Sequence, residues 1–145
     1  MSLNNLAILY SDIQRFDDSE TYYLRAIEIY ERLFKQEPNV YYLKNIVRIL
    51  NSLSYILLFS NKCSESEEYA LKALSIFPEY LITYTNLAAS ILLQGRYDEA
   101  KEIYLKYKDE LKCDFLDYLE KFKLNDVIPQ ERLNDVEKII KLLND

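Results

Sequence analysis

The chain has 145 residues, half of them hydrophobic and 29 % charged, with 24 acidic against 18 basic side chains and a formal charge of −6. That length and composition suit one domain with a real core. The acidic balance gives no electrostatic basis for binding nucleic acid or an anionic membrane surface.

One glycine and three prolines are too few for a protein built on tight β-hairpins, and the apolar residues recur in steps of three and four, the period of a helix face. In chain order, the pattern predicts a first helix over residues 3–12 with no capping residue before it, read as a boundary through a longer array. A second over 16–36 stops before Pro38. A third spans 40–60. A fourth is announced by Ser64 and Glu67, the spacing of a capping box, and ends near Pro78. Helices over 79–94 and 97–111 flank Gly95, whose freedom to take positive φ suits the end of a helix; Asp98 and Glu99 then fall at the favourable dipole end of the next helix. A stripe at Phe115, Leu116, Leu119 and Phe122, and another at Leu133, Val136, Ile139, Ile140 and Leu143 after Pro129, predict a last helical hairpin over 114–143. It is expected to cover the apolar edge of the 97–111 helix. In the pairs Tyr22-Tyr23 and Tyr41-Tyr42 one ring is expected in the core and the other near solvent.

The chain also repeats itself. Residues 5–19, NLAILYSDIQRFDDS, align with residues 86–100, NLAASILLQGRYDEA, 81 positions on. A weaker copy around Ser52–Ser66 lies 47 positions after the first and 34 before the third. This arrangement resembles the tetratricopeptide repeat family over roughly residues 3–107. The third copy carries the family pattern at Leu87, Ala88, Gly95, Tyr97, Ala100 and Tyr104, with Ile91 and Tyr107 as departures. The first carries it at Leu6, Ala7, Tyr10, Phe16, Tyr23 and Ala26, with Gln14 in place of glycine and Ser19 in place of alanine. The second keeps Leu53, Ser54, Ala73 and Pro78 and has Cys63 where an aromatic belongs. The long first unit is similar to the extended version found in kinesin light chains. The expectation is an all-α fold of about eight helices stacked as antiparallel hairpins, one domain with units at 3–37, 40–78 and 79–111 and the last hairpin as a cap. Ala7, Ser54 and Ala88 should let the two helices of each unit approach closely, and Tyr23 and Tyr104 should fill the space between units.

Chemistry is poorly provided for. There is no histidine, hence neither the commonest general base nor the commonest zinc ligand. A single glycine cannot build a phosphate-binding loop. Cys63 and Cys113 are expected to be reduced thiols, and the acid clusters Asp17, Asp18, Glu20 and Glu65, Glu67, Glu68 read as solvated helix faces. No enzyme activity, metal or cofactor is expected. The start has no basic run leading into an apolar core, and no apolar run is long enough to span a membrane, so a cytoplasmic protein is expected.

The resemblance implies that the first helix of each unit lines a concave side that holds a peptide or partner protein. It places Asn4, Ile8, Ser11 and Asp12 there in the first unit, Arg48, Asn51, Tyr55, Leu58 and Phe59 in the second, and Ile82, Thr85, Ala89, Leu92 and Leu93 in the third. The lysines with which relatives clamp a terminal carboxylate are missing at these positions. The partner-binding set is Arg48, Asn51, Tyr55, Phe59, Thr85, Ala89 and Leu92. Two alternatives stand beside it: a solenoid segment that self-associates into a homodimer through its terminal helices, and a small-molecule-binding or hydrolytic helical protein.

Overall fold

The structure, a computed structural model, describes residues 2–12 and 15–145, with Ser11 and Asp12 described in backbone only. Among these residues are eight α-helices: α1 (Leu3–Asp12), α2 (Phe16–Gln36), α3 (Val40–Phe59), α4 (Cys63–Ile76), α5 (Thr83–Leu93), α6 (Tyr97–Lys106), α7 (Lys108–Leu124) and α8 (Leu133–Asn144), the last preceded by a 3₁₀ turn at Gln130–Arg132. Successive helices pair as antiparallel hairpins, α1 with α2, α3 with α4, α5 with α6 and α7 with α8. Each hairpin stacks on the one before, α3 on α2 and α5 on α4. The all-α fold expected from the periodicity, and the stacked hairpins that the resemblance implied, are present.

Small residues set the spacing within a hairpin. Ala7 and Ser19, Ser54 and Ser66, and Ala88 and Ala100 occupy corresponding places in three units, and all six are fully buried. Where these positions are serine, the hydroxyl is satisfied by the facing helix. Ser19 donates to the Ala7 carbonyl at 2.7 Å. Ser54 and Ser66 donate to each other's carbonyls at 2.8 and 2.7 Å. The serines at these places thus leave no buried hydroxyl unpaired, which would cost about 1–3 kcal/mol. Tyr104 is buried against Phe115 of the next hairpin, ring centroids 4.7 Å apart, filling the space between units. The paired tyrosines follow the expectation in part: Tyr23 is buried beside a half-buried Tyr22, and Tyr41 is exposed beside a half-buried Tyr42.

One turn geometry closes three of the helices. The N–H of Lys62 reaches the Leu57 carbonyl, that of Arg96 reaches Ile91, and that of Val127 reaches Phe122, at 3.0 to 3.2 Å. Between donor and acceptor stands a residue at positive φ: Asn61 at 59°, Gly95 at 89° and Asp126 at 55°. This is a Schellman closure, in which a left-handed residue lets the chain turn back onto the last carbonyls. Asn and Asp visit that region at modest cost, so the fold needs few glycines. Gln14, noted as the first unit's substitute for glycine, lies outside the described residues. Gly95 has a second reason: a Cβ there would stand 2.5 Å from the Arg132 guanidinium carbon. The arginine's flexible end can shift, so the φ requirement dominates, and Gly95→Ala is expected to lose about 1–2 kcal/mol of stability in urea unfolding.

Several boundaries differ from expectation. Helix α5 starts at Thr83, not 79, because residues 78–82 form successive tight turns, with the Tyr80 N–H on Phe77 and the Thr83 N–H on Tyr80. The expected 97–111 helix ends at Lys106, and α7 begins at Lys108 instead of 114. Tyr107 breaks the helix at φ −109°, ψ 14°, and its ring stacks on Tyr84 of α5 at 4.1 Å. Neither proline nor glycine marks this break. Ser64 and Glu67 form no capping box: α4 begins at Cys63 without a side-chain cap, and Glu67 is taken by other partners. Finally, both helices of the last hairpin pack on α6, as expected, but α7 also lies against α5 and reaches across to α3.

Candidate functional site

The helix α3 carries one continuous stripe, Arg48, Asn51, Tyr55 and Phe59, at the three- and four-residue spacing of a single face. Its two ends have different surroundings. At the C-terminal end Tyr55 and Phe59 meet edge to face at 5.0 Å. Phe59 also touches Phe16 at 5.7 Å and Phe122 at 5.1 Å, and Tyr55 meets Tyr118 at 4.9 Å. Five rings from α2, α3 and α7 thus form one cluster, leaving Tyr55 and Phe59 half-buried. Burial among these rings raises the Tyr118 hydroxyl far above the usual tyrosine range and raises Tyr55 as well. The α5 residues of the expected set, Thr85, Ala89 and Leu92, are all buried, as are Leu58 and Leu93. Ile8 is exposed and Asn4 and Ile82 are half-buried, while the side chains of Ser11 and Asp12 lie outside the described residues.

Between α3 and α5 the floor is polar. The Asn86 amide donates to the Asn51 carbonyl at 3.0 Å. The Asn51 side-chain amide, the Asn86 Oδ1 and the Thr83 and Thr85 hydroxyls are shielded from solvent without a protein partner. At the N-terminal end of the stripe the surface opens. Lys44, Val47 and Arg48 of α3, with Phe77, Glu79 and Tyr80 of the α4–α5 connection, line a concavity of about 380 Å³. Tyr80 is 42 % exposed there. Of the expected set, then, only Arg48 lines open space. That the last hairpin can cover the apolar part of this face is an alternative the sequence already offers, and Tyr118 and Phe122 do so; Tyr80 was not legible here, since it was counted inside a helix.

Outside this face the polar groups read as structural. The Glu67 carboxylate accepts from Arg96 at 2.6 Å and from Gln94 at 2.9 Å. Burial pushes Glu67 up, but the Arg96 and Gln94 hydrogen bonds outweigh it and hold the carboxyl below its usual value. Cys113 is exposed, whereas Cys63 is partly buried, and desolvation pushes its thiol up from 9.0 to about 11. Among the described residues no group of three or more Cys, Asp or Glu side chains could hold a metal ion, and no helix is long and apolar enough to cross a membrane.

The raised groups give a pH dependence. A thiol raised in the fold contributes stability that is present below about pH 9 and lost as pH rises through about 11. That contribution is at most about 3 kcal/mol for Cys63 at two pH units. Tyr104 and Tyr118, both raised by burial, act in the same direction. Urea unfolding midpoints should therefore fall steeply between pH 9 and 11. In parallel, a thiol reagent at pH 8 should modify Cys113 well before Cys63.

These features define a class: an all-helical protein of stacked antiparallel hairpins, an architecture consistent with a non-catalytic interaction or scaffolding module. Comparison with family models gives the finer statement for one part of the chain. Residues 1–39, which hold α1 and α2, match the tetratricopeptide repeat. A search of curated proteins finds no match to the chain.

Proposed function

We propose that the protein is a non-catalytic interaction module that holds a peptide or partner-protein segment at the open end of the α3 face, beside Arg48. The observation that carries this is the division of the α3 stripe. One half is packed by Tyr118 and Phe122 of the chain itself, and the other opens into a concavity with exposed cationic and aromatic walls. The corresponding small residues of residues 40–106 support reading that region as further repeats of the family, and the length of α2 supports the extended form of the first. The whole chain is then a single array with a terminal hairpin. Peptides selected from a random library against the folded chain should lose binding on Arg48→Ala and Tyr80→Ala. Binders indifferent to both changes would move the interaction elsewhere.

A second reading has its own observation. On α1 and α2 the side chains of Ile8, Leu9 and Ile29 are 43 %, 46 % and 40 % exposed. Beside them, Leu3, Ala26, Tyr30 and Leu33 help line a depression of about 280 Å³. This face supports self-association. In that case sedimentation gives a dimer that Leu9→Asp disperses; a monomer at all concentrations removes this reading.

A further inference from the structure

Resting on the interaction reading above, the chemistry of the α3 concavity names its ligand. We propose that it receives an acidic peptide segment, with Lys44 and Arg48 pairing its carboxylates and Val47 and Phe77 seating a neighbouring apolar side chain.

Lys44 and Arg48 stand four apart on α3, so both project on one face and about 5–6 Å separates their Cβ atoms. They line the same hollow, and neither has an ion pair within 4 Å among the described residues. Two cations thus face one hollow in a chain whose net charge is −6. The one acid in the lining is Glu79, and it pairs with neither cation.

The apolar part is also built. Val47 is buried and forms the base, Phe77 is half-buried beside it, and Tyr80 is the exposed wall. At about 380 Å³ the hollow is within the range of sites that take a small ligand or a side chain with its flanking backbone. A free carboxylate alone would use the cations and leave the aromatic wall unused. A purely apolar segment would leave the two charges unpaired at its rim. A basic segment would meet like charge, which steers partners away.

The test uses fluorescence anisotropy with the full chain and three labelled octapeptides: one with Asp and Glu flanking a central leucine, one with those acids replaced by lysine, and one with the leucine replaced by glycine. The acidic leucine peptide should bind at least about tenfold more tightly than the lysine peptide, and the double variant Lys44→Glu/Arg48→Glu should lose about tenfold or more. Glu79→Gln, which removes the one opposing charge, should tighten binding about twofold. The glycine peptide should weaken, showing that the apolar seat is used. All three substituted side chains are exposed, and circular dichroism checks that each variant keeps its helices. Equal affinity for the acidic and lysine peptides, full retention of binding in the double variant, or no binding of any peptide overturns the proposal. Library peptides without acids that still depend on Tyr80 would then leave the interaction reading in place, whereas a library that yields no binder sensitive to Arg48 or Tyr80 removes both.

Discussion

Phe122→Ala is expected to destabilise the protein by about 3–5 kcal/mol, the range for emptying a large aromatic site in a packed core. Phe122 is wholly buried, and its ring meets Phe59 at 5.1 Å and Tyr118 at 6.1 Å. It is the point at which α7 grips α3 as well as its own hairpin. Its loss should therefore act on two levels: global stability falls, and the near-ultraviolet circular dichroism of the aromatic cluster diminishes because Phe59 and Tyr118 lose a fixed neighbour. Leu105→Ala provides the contrast. Leu105 is 49 % exposed on α6 and should change stability by no more than about 0.5 kcal/mol. Equal effects from the two substitutions would mean that α7 does not pack as described.

The second large effect is expected at the contact between α3 and α4. Ser66→Leu places a large side chain where two helices touch through serine and removes a hydroxyl bonded to the Ser54 carbonyl at 2.7 Å. Overpacking and the lost hydrogen bond together should cost about 2–4 kcal/mol in denaturant unfolding. Replacing Ser54 and Ser66 together by alanine is the informative control. The third unit already uses Ala88 and Ala100 at these places with both fully buried, so the geometry accepts alanine, and removing both hydroxyls at once strands neither. The double variant should stay within about 1 kcal/mol of the parent.

The hairpin order was legible because it rests on local signals: the apolar period, Pro38 and Pro78 as stops, and Gly95 as a turn. Ala7, Ser54 and Ala88 were legible for the same reason, since a small residue at a fixed place in a repeat has few other uses. What escaped was set by distant contacts. The break at Tyr107 carries no local mark and depends on a ring stacked on Tyr84. The role of Glu67 followed the expected capping spacing until Arg96 and Gln94, nearly thirty residues on, claimed its carboxylate. The candidate site was legible as a stripe on α3, but which half of it stays open was not. That depends on where α7 lies, and an amphipathic helix does not state which of several apolar surfaces it will cover. The concavity beside Arg48 also needed Tyr80 in a turn, and the apolar period suggested a helix there.

The most direct measurement is a ¹H–¹⁵N correlation map of the labelled chain titrated with a library-selected peptide. Shifts concentrated at Lys44–Ser52 and Phe77–Tyr80, with smaller changes at Tyr55 and Tyr118, are the expected result for a partner entering at the open end of the α3 face. Shifts confined to the outer faces of α1 and α2, with Arg48 and Tyr80 unmoved, would contradict it and place the interaction on the Ile8–Leu9 surface.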